Sequence, residues 1–156
     1  MSSILTGKIL DSAIVNGVSV VTSLFGDKKG GCAASWFAQV SFAPVLIMVS
    51  LTEQRYTYSL IKKSSLFNIN ILADNQLDLG QHFGLKSGHS LDKFKDITHS
   101  PGKNTAPIIP HCKAYAECRL IDTFKAGDHN LLIGEITHFS EDTTKTALLF
   151  KGVDYW

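Results

Sequence analysis

The amino-acid sequence predicts a mainly β fold, a barrel carrying a few short flanking helices. Three observations carry that expectation. Runs rich in β-branched and aromatic residues recur along the chain, divided by clusters of Gly, Asp, Asn and Pro. Only two segments have helix start and stop chemistry, and they do not fall in the strand–helix–strand rhythm of a doubly wound sheet. The chain has 156 residues, 44% hydrophobic and 19% charged, which suits one domain over residues 1–156 with a real core.

Residues 13–25 contain Ile14, Val15, Val18, Val20, Val21 and Thr22 and end at Gly26-Asp27-Lys28-Lys29-Gly30-Gly31, a turn signal that predicts a hairpin. The return arm spans residues 32–41. After Pro44, residues 45–51 form a continuous apolar run of strand length, with helix as the alternative. Residues 57–63 set Leu60 and Ile61 together and finish on Lys62 and Lys63, which suits the negative end of a short helix, with Thr57 as its cap. Residues 66–72 alternate apolar and polar side chains and predict a strand with one wet face. Asp74 or Asn75 opens a second helix running towards His82-Phe83-Gly84, and residues 84–90 and 100–110 read as loops. Three β runs, 115–124, 130–139 and 147–153, predict a closing meander.

Several function classes are disfavoured. The net charge is +1 with scattered Lys and Arg, so no surface for tracking nucleic acid is expected. Cys32, Cys112 and Cys118 lack the spacing of a disulfide framework or zinc site, and no histidine pair forms a metal motif, so no metal is expected. The first eight residues lack a charged leader with a long apolar core, and the longest apolar run, 44–49, cannot span a bilayer. A cytoplasmic protein with reduced thiols and no membrane association is the expectation. GxSxG, P-loop and GxGxxG motifs are absent. The surplus of apolar residues suggests a buried subunit interface.

One stretch carries chemistry. Ala33-Ala34-Ser35-Trp36-Phe37-Ala38-Gln39-Val40-Ser41-Phe42-Ala43-Pro44 combines small residues, hydroxyls and aromatics. Backbone can approach a flat ring closely there, with apolar walls for its faces and donors for its edge. By composition alone, Trp36 and Phe37 read as core aromatics of an edge strand.

Taken in order, this stretch, residues 45–51, Arg55-Tyr56-Thr57, residues 67–72, His82-Phe83-Gly84, Lys86-Ser87-Gly88, Leu91-Asp92-Lys93-Phe94, Gly127-Asp128-His129 and Ile133-Gly134-Glu135 resemble the flavin reductase family over nearly the whole chain. The resemblance implies an FMN-binding split β-barrel of Greek-key-like order. It implies that the segment matching Ala34, Ser35, Trp36 and Phe37 lies against the flavin ring, largely through backbone donors, with Ser50 and Leu51 beside the ring and ribityl chain. Arg55 and Thr57 match positions that meet the FMN phosphate, and a guanidinium and a helix-start hydroxyl both suit a dianion. Phe83, Lys86, Ser87 and Lys93 match a loop that approaches the cofactor. His129 matches the residue near which NAD(P)H stacks, although spacing alone reads Asp128 and His129 as an ordinary exposed turn.

The activity implied is hydride transfer from NAD(P)H to flavin, and onward to free flavin, ferric iron or a protein acceptor. The alternative is a flavoredoxin-like FMN electron carrier that uses NAD(P)H poorly. FMN is favoured over FAD, since the short chain offers no evident segment for an adenosine half. Homodimers are typical of the family, and a redox protein or monooxygenase is the implied partner.

Overall fold

The computed structural model of the chain describes residues 10–155; the amino-terminal residues on which the leader expectation rests lie outside them. Strands β1 (Ser19–Phe25) and β2 (Lys28–Ala34) form the first hairpin, with Phe25 opposite Lys28. The turn is therefore Gly26-Asp27 alone, with Gly26 at a φ of 63°, where glycine carries no steric penalty. Gly30 and Gly31, expected in the turn, belong to β2. A Cβ on Gly30 would come within 2.8 Å of Leu60, and one on Gly31 within 2.7 Å of Phe83, so these residues let helices approach the strand from both faces.

The expected return arm over residues 32–41 is interrupted. The chain leaves β2 at Ala34, crosses at Ser35 and Trp36, and starts β3 (Phe37–Phe42), which pairs with β4 (Val45–Leu51) around a cis Ala43-Pro44 peptide. The run 45–51 is thus a strand. Helix α1 (Tyr56–Ser64) follows; its N-cap is Arg55, and Thr57 does not cap it but lies buried in the first turn, beneath Gly30. Lys62 and Lys63 occupy the last turn as expected.

Next come β5 (Leu66–Ile71) and α2 (Leu77–Leu85), which starts after Gln76 rather than at Asp74 or Asn75. The short ladder of β6 (Ser100–Pro101) and β7 (Pro107–Ile108) orders the loop expected at 100–110. Two long strands, β8 (Ala114–Ala126) and β9 (His129–Glu141), form a second hairpin, again around a two-residue Gly-Asp turn.

The main sheet is antiparallel, in the order β2-β1-β5-β8-β9-β4-β3. It curls on itself: Cys32 and Ala34 of β2 share one core with Ile47, Val49 and Leu51 of β4, although four strands separate β2 from β4 in the sheet. Val21, Ile61, Phe67, Ile69, Cys118 and Leu132 fill the same interior. Alternation along β1 sends Val20 to the opposite face, into a second cluster with Leu72, Phe83, Phe94, Ile109 and Leu148. The fold is the mainly β barrel with flanking helices that the sequence predicts.

Two expectations fail for the same reason: tertiary partners absent from the local pattern. The polar face of β5 is not wet, because Asn68 and Asn70 are fully buried beneath the β6–β7 loop. Asn70 donates to the Val20 carbonyl at 3.0 Å and accepts from the Ile109 N–H at 2.9 Å; Asn68 donates to the Ala106 carbonyl at 2.9 Å. Residues 147–153 form no meander strand. Their backbone bonds go to two segments, from Val18 N–H to the Leu148 carbonyl and from Leu148 N–H to the Leu72 carbonyl, before a 3-10 turn at Gly152–Asp154. No helix among the described residues is long and apolar enough to cross a membrane.

Candidate functional site

Among the described residues β2 pairs with β1 alone, so its other edge carries no ladder and the barrel is split there. The crossing is pinned by a 3.0 Å bond from Ser50 N–H to the Trp36 carbonyl. Two clefts lie along the split. The first, of about 220 Å³, is lined by Val18, Ala33, Ala34, Ser35, Trp36, Ser50, Leu51, His129, Phe150 and Tyr155. The second, of about 430 Å³, is lined by Cys32, Thr57, Lys86, Ser87, His89 and Lys93, with Gln54, Tyr56, Leu85 and Gly88. Thr52, Arg55 and Gly84 line both, so the clefts adjoin.

The two compartments differ in character. The first is walled by small and aromatic side chains. Trp36 and His129 stand with ring centroids 5.0 Å apart, and Phe150 stacks on Tyr155 at 5.3 Å. The second collects Arg55, Lys86 and Lys93, and among the described residues no carboxylate is within ion-pair distance of these three. Lys93 is buried and donates to the carbonyls of Gly31 at 2.9 Å and Phe83 at 2.8 Å. An ammonium has three donors, so one remains for a ligand. Burial pushes Lys93 down from 10.5 to about 8, the nearby Arg55 charge adding to the fall while Cys32 opposes it. The Cys32 thiol, in turn, is pushed up by burial, an effect that Arg55 and Lys93 partly offset.

His129 opens β9. Its Nδ1 is 2.7 Å from Asp128 Oδ1; a carboxylate only accepts, so Nδ1 carries the proton and Nε2 is left for other partners. That hydrogen bond, together with the imidazole charge, holds the Asp128 carboxyl below its ordinary range.

Of the residues singled out in the sequence, Ala34, Ser35, Trp36, Ser50, Leu51 and His129 line the first cleft, Thr57, Lys86, Ser87 and Lys93 the second, and Arg55 both. Phe37 and Phe83 reach neither. Phe37 packs on the barrel core and lines a neighbouring groove with Leu10 and Ile14, a groove that Trp36 also borders. Phe83 is fully buried over Gly31, against Phe94, and contributes only its carbonyl. Sequence reasoning missed Cys32, Gly84, Phe150 and Tyr155. Gly84 had a legible signal in the helix-ending His82-Phe83-Gly84, since a Cβ there would stand 3.2 Å from both Ala33 and Tyr155. The aromatic pair had none.

A family model described as flavin reductase like domain matches residues 12–155. Diflavin flavoprotein A 3 of Synechocystis sp. is 34% identical over 90% of this chain, and the match spans 22% of that protein. HsaB, the reductase subunit of a flavin-dependent monooxygenase from Mycobacterium tuberculosis, is 31% identical over 89% of this chain and 74% of its own. The chain therefore spans under a quarter of the first relative and about three quarters of the second. Among solved structures, the FMN-binding protein from Thermus thermophilus with bound p-hydroxybenzaldehyde superposes with a TM-score of 0.86 at 26% identity, covering 96% of this chain and 90% of that one.

Proposed function

The chain belongs to the flavin reductase like family, and from that premise we propose that it holds FMN across the two clefts and catalyses hydride transfer from NADH or NADPH to the flavin. Flavin binding and reductase-type redox chemistry go with the family. The observation that carries the finer reading is the division of one continuous site into an aromatic compartment and a cationic one without carboxylates. A ring at one end and a phosphate at the other match that division. When bound, flavin would supply the redox chemistry, as hydride acceptor for the nicotinamide and electron donor to free flavin, ferric iron or a protein acceptor.

The chain's own groups bind, orient and exclude water. The free edge of β2 at Ala33 and Ala34 admits a flat ring and offers it backbone donors. Trp36, Leu51 and Tyr155 keep the ring's surroundings apolar, which strengthens every polar contact made there. Arg55, Lys86 and Lys93 hold the phosphate, with the Thr57 hydroxyl beside them. His129, its tautomer set by Asp128, presents Nε2 to the incoming nicotinamide.

The match to HsaB supports a flavin-dependent monooxygenase as the recipient of the electrons. Exposed Val40, Phe42 and Val45 at the β3–β4 edge support a homodimer of chains that are each one domain; light scattering that returned a monomer mass would reject the dimer. The central test is anaerobic titration of the FMN-loaded protein. NADH or NADPH is expected to bleach the flavin absorbance, and failure of both rejects the reductase reading in favour of an electron carrier.

A further inference from the structure

His82 lines neither cleft, yet it touches both lysines of the cationic compartment. It stands on α2 one turn before Lys86. Its Nδ1 is 3.0 Å from Lys86 Nζ, and its Nε2 is 2.7 Å from the Lys93 backbone oxygen. An ammonium can only donate and a carbonyl can only accept. The ring must therefore accept at Nδ1 and donate at Nε2, which is the neutral Nε2–H form. One imidazole thus fixes the charged head of one lysine and the backbone of the other.

The ring is itself held. It meets Phe83 edge-on, with centroids 5.0 Å apart at 84°, and Phe83 is locked in the core over Gly31. The carbonyl of that same Phe83 accepts from Lys93 Nζ, which also satisfies an acceptor in the last turn of α2 and sets a cation at the negative end of the helix dipole. His82, Phe83, Lys86 and Lys93 therefore form a closed set of contacts anchored on one helix terminus.

We propose that His82 is a positioning residue for anion recognition: it sets the separation of Lys86 and Lys93 so that a phosphate monoester meets a preformed pair of ammonium groups. The inference rests on the reading above that the flavin phosphate occupies this compartment. Long lysine side chains lose much rotamer freedom when they are fixed by a ligand. Fixing them beforehand through His82 and the Gly31 and Phe83 carbonyls removes that loss from the binding step. The neutral ring adds no charge of its own, so its contribution is placement.

FMN and riboflavin differ only by the phosphate, and fluorescence quenching gives a Kd for each. Wild-type protein is expected to prefer FMN. His82→Leu should weaken FMN by about tenfold, as the loss of hydrogen bonds involving a charged group implies, while leaving riboflavin nearly unchanged. His82→Gln, which retains one acceptor and one donor, should restore most of the preference. If wild-type protein binds the two flavins equally, the phosphate reading itself fails. If wild-type prefers FMN but His82→Leu keeps that preference, or weakens both ligands alike, the role of His82 fails. Should the leucine variant not fold, a double-mutant cycle of His82→Asn with Lys86→Met measures the same coupling. Non-additive losses in FMN affinity support the proposal, and additive losses overturn it.

Discussion

The aromatic compartment and the cationic compartment adjoin, yet the protein builds them differently. The first is largely backbone and packed walls: Ala33, Ala34, Ser50 and Leu51 come from strands or their ends, and Trp36 is pinned by the β4 backbone. The second is made of long side chains at helix ends and on a loop: Arg55 at the start of α1, Lys86 at the end of α2, and Lys93. A wall built from sheet tolerates changes in single side chains. A cluster of cations depends on each.

The largest expected difference between the two comes from Lys93→Met. Removing a buried cation that, as proposed, meets the phosphate should weaken FMN binding by about 2–4 kcal/mol and leave riboflavin affinity within about twofold; equal losses for both flavins would erase the distinction between compartments. Trp36→Ala should do the opposite. It removes an aromatic wall, so both flavins should weaken together, by about 1–1.5 kcal/mol, in the same quenching titration.

A smaller effect follows from protonation. Because Lys93 is pushed down to about 8 from 10.5, it is charged in the free protein below about pH 8 and neutral above. FMN affinity should then fall several-fold as pH rises from 7 to 9, with a flat riboflavin profile and a flat FMN profile in Lys93→Met. The stability contribution runs the other way. Between about 8 and 10.5 the unfolded chain holds the proton that the folded chain has lost, so this group makes the ligand-free protein more stable as pH rises through that window. Asp128→Ala should give the smallest change, under about fivefold in NAD(P)H kcat/KM, because its carboxylate is exposed and solvent screens an exposed pair. Flavin affinity should stay constant.

The same contrast explains what could be read from the sequence. About half of the aromatic compartment comes from one stretch of chain: residues 33–36 precede the β3–β4 hairpin and 50–51 end it, and the small-then-aromatic pattern of 33–36 is visible before any fold is known. The long strands were legible too, since β8 and β9 extend the expected runs by only a few residues at either end. What escaped was set by distant partners. Gly30 and Gly31 read as a turn because their need for space comes from Leu60 and Phe83, some thirty and fifty residues away. Asn68 and Asn70 read as wet because the loop that covers them carries no local mark of doing so. Phe150 and Tyr155 reach the cleft on a segment that is tied through Leu148 to both Val18 and Leu72. Phe37 and Phe83 stand beside cleft-lining residues in the chain, but their rings pack into the core clusters instead of the clefts.

The split beside β2 also bears on how the protein stays dispersed. A strand with an unpaired edge is a template on which other chains can add and aggregate. Here the exposed start of that edge carries Lys28 and Lys29, whose like charges repel an approaching copy. Its apolar end, Ala33 and Ala34, lines the cleft. The two lysines thus guard one end of that edge, and flavin held as proposed would cover the other, so flavin-depleted protein should precipitate on storage sooner than the loaded form.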